Sequence, residues 1–159
     1  MISEELATFL ESGVTMLVGT RDGECRPEGV KGFGARVEPG REELTVFIAA
    51  AHASRTLANA RATGRVAVCF TRPIDHRSMQ VKGQVLEVRD AREDERPLVE
   101  RYTERLAGIL GEIGIPPRLI LRIDRWPAHA LRLRMEGVFV QTPGPGAGTP
   151  LGSAPGAAR

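Results

Sequence analysis

The amino-acid sequence predicts a mostly β (α+β) fold, an antiparallel barrel with two to three flanking helices. Short runs of alternating or β-branched residues recur along the chain between tight turns, whereas only two longer segments have the period of a helix. No glycine-rich dinucleotide motif follows a predicted strand, and no phosphate loop or nucleophile elbow occurs. The order of these segments therefore favours hairpin-connected strands over a doubly wound parallel sheet.

The predicted elements each follow from a local pattern. Ser3 followed by two acidic residues marks a helix start, and an Asp-Gly pair after the first strand marks a hairpin turn. Asp90 with Glu93 has the spacing of a capping box before a helical period. In order, the elements are a helix at 4–10, strands at 14–20, 29–38 and 44–50, a helix from about 52, strands at 65–72 and 78–88, a helix at 90–113, and strands at 119–124 and 129–135.

Composition and charge argue against several classes of protein. The 159 residues are 42% hydrophobic and 26% charged, with a formal net charge of +2, as in an ordinary globular domain. The weak charge and the few aromatic residues disfavour nucleic-acid binding. The N-terminal segment is acidic and no apolar run approaches about 18 residues, so we expect a cytoplasmic protein without a membrane partner. Two cysteines and three histidines without ligand spacing predict no metal site.

The chain is expected to form one domain over residues 1–141 with a C-terminal tail over 142–159. The tail is rich in Pro, Gly, Ala and Ser, and such a composition buries too little apolar surface to offset the entropy of ordering it. We therefore expect that its end can be removed without loss of the fold.

The start of the second helix lacks the acids that a helix N-terminus favours. Ser54 and Arg55 lie in its predicted first turn, and no Asp or Glu occurs between positions 44 and 74. A bound phosphate would balance this charge, because helix N–H groups, a hydroxyl and a guanidinium together bind anions. The alternative is an arginine on a solvated helix face, which is common in a chain whose basic residues are nearly all arginine.

Two strands carry patterns that suggest a site. Gly32 and Gly34 share one face of the second strand, which often marks a close approach by a ligand or another backbone. In the strand at 78–88, Gln80 and Lys82 lie on the polar face opposite an apolar one. A strand with one face in solvent would show the same alternation, so this pattern does not distinguish a site from a solvated surface.

Taken in order, four stretches resemble the pyridoxamine 5'-phosphate oxidase-like family, the FMN-binding split β-barrels. They are GVTMLVGTRDGECRPEGV, HASRTLANARATGRVAVCF, SMQVKGQVLEV and the closing VFVQTPGPGAGTPL. The resemblance covers about residues 14–151. It implies a Greek-key-like split barrel that forms a homodimer, binds FMN and acts as an oxidoreductase on a small-molecule substrate.

The resemblance also implies which residues hold the cofactor. Ser54 and Arg55 match the pair that holds the flavin phosphate, and Gln80 and Lys82 match the strand that contacts the flavin. The run GVKGFGARVEP lacks the basic pattern of the family's phosphate-binding strand, and Lys31 and Arg36 are weaker substitutes for it. The remaining candidates are Arg72 for the phosphate and the strand from Gly32 to Gly34 for close backbone approach.

Other functions are open on the same barrel. A non-enzymatic haem or flavin carrier and a deazaflavin-dependent reductase are the alternatives to an FMN-dependent oxidoreductase. A haem would need an axial ligand from a short set of side chains, namely His52, His76, His129, Met79 or Cys69.

Overall fold

A computed structural model describes residues 1–151 of the chain. Six strands, four α-helices and one 3₁₀ turn make up this part. In chain order they are α1 (Glu4–Glu11), β1 (Thr15–Arg21), β2 (Pro27–Val37), β3 (Glu43–Ala49), α2 (Ala50–Thr63), β4 (Arg65–Thr71), β5 (Ser78–Asp90), the 3₁₀ turn (Glu93–Glu95), α3 (Arg96–Glu112), α4 (Pro117–Leu121) and β6 (Ala128–Val140).

The strands form a closed antiparallel barrel in the order β1-β2-β3-β6-β5-β4. Every strand has two hydrogen-bonded neighbours, so the described sheet has no open edge. Alternate side chains point inward and fill the barrel, and among those with no exposed surface are Val18, Val46, Val68, Val81 and Leu131. The predicted mostly β antiparallel barrel is therefore confirmed.

The helices pack around this barrel. In α1, the Ser3 hydroxyl accepts a hydrogen bond from the backbone N–H of Leu6, as predicted. Helix α2 packs against β1 and β2, where the Asn59 amide donates to the Thr20 hydroxyl at 3.3 Å. The predicted capping box at Asp90 is wrong, because Asp90 is the last residue of β5. Instead, the Glu95 carboxylate accepts a hydrogen bond from the backbone N–H of Arg92.

The predicted strand at 119–124 is wrong. Residues Pro117–Leu121 form α4, with a proline at the first helical position, where the missing N–H costs no hydrogen bond. Only Ile120 of this short helix is buried. A strand here could not have paired with β6, because β3 and β5 already occupy both edges of that strand.

The two glycines that are predicted to mark a close approach by a ligand or another backbone, Gly32 and Gly34, face side chains of this chain. A bulge between Gly32 and Ala35 shifts the register of β2 against β3, and both glycines are buried. A Cβ at Gly32 would lie 2.5 Å from the Met16 sulfur, and one at Gly34 would lie 2.8 Å from a Leu98 methyl. The close approach is made by side chains of this chain, because the bulge brings the strand against β1 and α3.

The C-terminal segment is described as far as residue 151. Here the chain turns back along β6, and Leu151 N–H donates to the Val138 carbonyl at 2.7 Å. The N–H of Val140 donates to the Thr149 carbonyl at 2.9 Å. The expected tail therefore begins with ordered contacts to the barrel, and its remaining residues, 152–159, lie outside the described part.

Candidate functional site

The outward side of β2, β1, β4, β5 and β6, called here the outer face, is crossed by two rows of residues that the strand register aligns. The small-residue row contains three glycines, one alanine and one lysine, one residue from each strand. Its members, in order across the sheet, are Gly29, Gly19, Ala67, Lys82 and Gly137. The flanking row lies two residues away on each strand, on the same side of the sheet, and consists of Lys31, Leu17, Cys69, Gln80 and Phe139. The outer face thus has a low floor beside a row of larger side chains.

Packing within the chain explains one glycine of this floor, Gly137, whose Cβ would lie 2.9 Å from the Phe139 ring, but it does not explain Gly19 or Gly29. A Cβ added at Gly19 would lie 3.6 Å from the Ala67 carbonyl oxygen, and one at Gly29 would lie 3.7 Å from a Leu17 methyl. Both are ordinary van der Waals separations, and neither glycine has a positive φ. Beside them, Leu17 leaves 53% of its surface exposed. The floor is therefore open for a flat group from outside the chain.

A groove of about 490 Å³ lies at one end of this floor and is called here the arginine groove. It is lined by Gly19, Thr20, Arg21, Arg65, Val66, Ala67, Lys82, Gly83 and Glu136. Arg65 pairs with Glu136 at 2.6 Å, whereas Arg21 and Lys82 have no acidic partner among residues 1–151. The ammonium nitrogen of Lys82 lies 4.7 Å from the centre of the Phe139 ring. The groove therefore carries three cations and one carboxylate.

Three of the predicted site residues share the outer face. Lys31 lies in the flanking row on β2, Gln80 lies in the same row on β5, and Lys82 lies in the small-residue row. The Gln80 amide oxygen accepts a hydrogen bond from the Gln141 amide at 3.4 Å. Because β2 and β5 are separated by β1 and β4, Lys31 and Gln80 are three strand spacings apart, about 14 Å.

Ser54 and Arg55 lie at the end of the barrel beside β2. Helix α2 begins at Ala50, so both residues lie in its second turn instead of its first. The charge that the surrounding sequence lacks is supplied by Glu28 of β2, whose carboxylate is 3.4 Å from the Arg55 guanidinium. Both Ser54 and Arg55 remain exposed, with 60% of the Arg55 side chain in solvent. An exposed guanidinium with one partner remains able to bind a second anion.

Arg72 and Arg36 lie apart from these residues. Arg72 makes two hydrogen bonds to Asp75 within the β4–β5 turn, and this guanidinium lowers the pKa of Asp75. Arg55 contacts Glu28, which pairs with Thr20 of β1. The turn that carries Arg72 is about 20 Å along β4 from the level of Thr20, so Arg72 and Arg55 cannot hold one phosphate. Arg36 pairs with Glu95 at 3.1 Å on another side of the barrel.

Sequence reasoning missed Arg21, Arg65, Gly19 and Ala67 as site residues. Each lies at an outward position of a strand that was predicted correctly, which is a signal available in the sequence. Their grouping depends on the pairing of β1 with β4, which brings Gly19 opposite Ala67. That register is set by contacts between segments far apart in the chain.

The candidate haem ligands do not converge. His52 is exposed on α2, His76 lies in the β4–β5 turn, and His129 at the start of β6 lies 2.9 Å from Asp90. Met79 is buried in the barrel, whereas Cys69 lies in the flanking row. Over residues 1–151, no group of three or more His, Cys, Asp or Glu side chains is arranged to hold a metal ion. The same part of the chain has no helix long and apolar enough to cross a membrane.

Solved structures share this fold at low sequence identity. HupZ from Group A Streptococcus is 15% identical with a TM-score of 0.56, over 94% of this chain and 99% of that one. An F420 reductase is 16% identical with a TM-score of 0.55, over 86% and 98% of the two chains. A protein assigned as a pyridoxamine 5'-phosphate oxidase from Lactobacillus delbrueckii is 14% identical with a TM-score of 0.54, over 87% and 93%.

The sequence itself identifies the family. No curated protein matches the chain in sequence. The family model described as pyridoxamine 5'-phosphate oxidase matches residues 2–125, which include α1, β1 to β5 and the helices that follow them. This match covers most of the chain and agrees with the barrel and with the structural neighbours. The chain therefore belongs to the pyridoxamine 5'-phosphate oxidase family.

Proposed function

We propose that this protein binds FMN on the outer face of its barrel and is an FMN-dependent oxidoreductase. The observation that carries the proposal is the small-residue row, in which Gly19 and Gly29 lie beside Ala67 although packing within the chain does not require either glycine. A planar aromatic ring system can lie against such a floor at van der Waals distance. Family membership supports the same assignment, because a pyridoxamine 5'-phosphate oxidase model matches the chain.

The polar residues around the floor fit the two ends of FMN. Ser54 and Arg55 of α2, together with Lys31 of the neighbouring strand β2, would hold the phosphate, because guanidinium, hydroxyl and ammonium groups bind its oxygens. Gln80 and Lys82 on β5 would contact the polar edge of the ring. When bound, the flavin supplies the electron transfer, and the protein supplies binding, orientation and a tuned electrostatic environment.

The proposal includes a homodimer in which the outer faces of two copies meet. A ring bound on the floor beside half-exposed Leu17 would have one face against the barrel and the other face in water. A two-fold partner would cover that face and create two equivalent sites, because an isologous interface places the same patch on both subunits. The support for this arrangement is the exposed apolar surface at the floor and the family resemblance.

The cofactor site is tested by titrating apoprotein with FMN and with riboflavin. Gly19→Leu should weaken binding of both ligands at least tenfold, because the new side chain occupies the floor, whereas Gly108→Leu on the exposed side of α3 should change neither. Arg55→Ala should weaken FMN binding about tenfold or more and leave riboflavin binding unchanged, since riboflavin has no phosphate. Arg61→Ala on the same helix is its matched control. Equal losses for Arg55→Ala with both ligands would contradict the phosphate assignment.

The dimer is tested by light scattering coupled to size-exclusion chromatography at micromolar concentration. The expected mass is twice the 17.2 kDa of one chain. A mass near 17.2 kDa with FMN bound at full occupancy would contradict both the dimer and a site between subunits.

A deazaflavin-dependent reductase is the second candidate. It is favoured by the similarity of the fold to an F420 reductase over 86% of this chain. Denaturing the purified protein and identifying the released cofactor by mass spectrometry separates the candidates. Released FMN supports the proposal, released F420 supports the second candidate, and released haem contradicts both.

A further inference from the structure

We infer that a cavity between α3 and the segment before β6, called here the tryptophan cavity, binds a small planar aromatic carboxylate. The cavity has a volume of about 330 Å³, which is within the range of sites for small organic molecules. Its apolar wall consists of Val99 from α3 and of Ile123 and Trp126 from the segment before β6. The inference does not depend on the proposed function, because no residue that lines this cavity belongs to the outer face.

Trp126 provides an aromatic surface at the cavity. Its indole is partly buried against the hydrophobic core, and Val99 beside it has no exposed surface. The guanidinium carbon of Arg96 lies 5.8 Å from the centre of the indole ring, which limits the freedom of both side chains. A flat ring in the cavity can therefore stack on an indole that is already held in place.

The charged side chains of the cavity leave an excess of positive charge. Three arginines line it, Arg96, Arg122 and Arg125, together with two acids, Glu100 and Asp124. Glu100 is already paired with Arg96 at 2.9 Å. Neither Arg122 nor Arg125 makes an ion pair with a carboxylate of residues 1–151. A ligand with an anionic group would balance this charge.

Carbonyl groups hold Arg125 in place without neutralising it. Its Nη1 donates to the Leu121 carbonyl at 3.0 Å and to the Ile123 carbonyl at 3.2 Å, so the guanidinium caps the C-terminal end of α4. Its Nε atom is buried and has no hydrogen-bond acceptor among the described residues. A partly buried cation without a carboxylate is costly, and an anionic group in the cavity would supply the missing negative charge.

One short segment, residues 122–126, carries both the indole and the two arginines without acidic partners. A ring that stacks on Trp126 brings a carboxylate attached to that ring towards Arg122 and Arg125. A single small molecule can therefore use the aromatic surface and the positive charge together. This combination favours an aromatic carboxylate over an apolar molecule or a simple anion.

The tryptophan cavity is separate from the proposed flavin site. Helix α3 packs against β2 at Gly34, where an added Cβ would lie 2.8 Å from a Leu98 methyl. Gly29 of the floor lies about 16 Å along β2 from this contact. A ligand in the cavity should therefore bind equally well with and without FMN.

The test uses 4-nitrobenzoate and its uncharged analogue 4-nitrobenzamide, each titrated into the full chain by calorimetry with and without saturating FMN. Trp126 is the one tryptophan of the chain, so quenching of its fluorescence reports on this cavity. 4-Nitrobenzoate should bind saturably and about tenfold more tightly than the amide. Arg122→Gln should weaken 4-nitrobenzoate binding at least about threefold and leave amide binding unchanged. Arg118→Gln, an exposed arginine of α4 outside the cavity, is the matched control and should change neither.

The outcomes separate this inference from the proposed function. No saturable binding of 4-nitrobenzoate up to about 10 mM, or equal affinities for Arg122→Gln and Arg118→Gln, would overturn the site. Competitive displacement of 4-nitrobenzoate by FMN would also overturn it, because the cavity would then hold the flavin. A wild-type protein that binds no FMN, but binds 4-nitrobenzoate through Arg122, would contradict the proposed function and support the tryptophan cavity.

Discussion

Two regions of this barrel concentrate arginines and use them differently. Near the start of α3, the Glu95 side chain is 2% exposed and accepts hydrogen bonds from Arg89 at 2.7 and 2.8 Å and from Arg36 at 3.1 Å. In the arginine groove, Arg21 lies free of any acidic partner within the described residues, and Arg65 has only the half-exposed Glu136.

The carboxylates near an arginine indicate whether it is structural or available to a ligand. Around Glu95, a buried carboxylate satisfies the guanidinium groups and joins β5, β2 and the 3₁₀ turn. Buried charges persist when they are paired and hydrogen-bonded. On the outer face, the cations surround an open groove with too few acids to neutralise them. The number and burial of nearby carboxylates therefore separate the two uses of the same residue type.

The largest effect should come from removing the buried carboxylate. Glu95→Gln leaves the Arg89 and Arg36 charges without their shared partner, and breaking a buried ion pair in this way should lower the free energy of unfolding by about 3 kcal/mol. Glu93→Gln, two residues earlier and in an exposed pair with Arg96, is the control and should have a much smaller effect. Urea unfolding of both variants measures the difference, and equal losses would show that Glu95 is no different from a surface acid.

Acidification should show the same contrast with an intermediate effect. Hydrogen bonding from Arg89 lowers the pKa of Glu95 from 4.5 to about 2 in the folded protein. Because the folded pKa is below the unfolded one, the ionised carboxylate contributes stability above about pH 4.5 that is lost as the pH falls towards 2.

Urea midpoints measured across this pH range should therefore fall more steeply for the wild-type protein than for Glu95→Gln. The other acids titrate in both proteins, so the difference between the two curves reports Glu95. Parallel curves would mean that protonation of Glu95 does not affect folding.

The smallest effect should come from the open region. Arg21→Gln removes one of the two arginines that line the arginine groove from β1 and β4, and the reduced repulsion with Arg65 should raise the free energy of unfolding by about 0.3 kcal/mol at low salt. The gain should disappear in about 1 M sodium chloride, where the Debye length is about 3 Å. Thermal or urea unfolding at the two salt concentrations measures it. A loss of stability at low salt would instead show that the hydrogen bonds from the Arg21 guanidinium to the Asp22 carbonyl and the Cys25 sulfur outweigh this repulsion.

Most strands were predictable because their signal is local. The alternation around Gln80 and Lys82 predicted which side of β5 is buried, and the structure agrees. The helix at Ser3 was predictable from its capping residue and acidic first turn. The strand at 119–124 failed because an apolar hexamer fits a short helix equally well, and a closed barrel offered it no edge.

The candidate site was less predictable than the fold. The sequence placed Gln80 and Lys82 on one side of β5, but only the structure shows that Lys31 shares the outer face with them. The sequence analysis looked for an acid to balance Arg55 only among its neighbours in the chain. The structure supplies Glu28 from another strand. The bulge in β2 was likewise not predictable from local patterns, and it places Gly32 against the Met16 side chain.

Local patterns in the sequence were sufficient for the mostly β class, the family resemblance and the polar face of β5, because side-chain alternation and capping depend on residues close together in the chain. The pairing of distant strands was needed to bring Gly19 beside Ala67, to place Arg21 and Arg65 in one groove and to bring Glu28 to Arg55. Strand register is set by how the whole barrel buries its inner faces, and a shift of one residue would exchange inner and outer side chains. The floor and its groove therefore exist only once all six strands have paired.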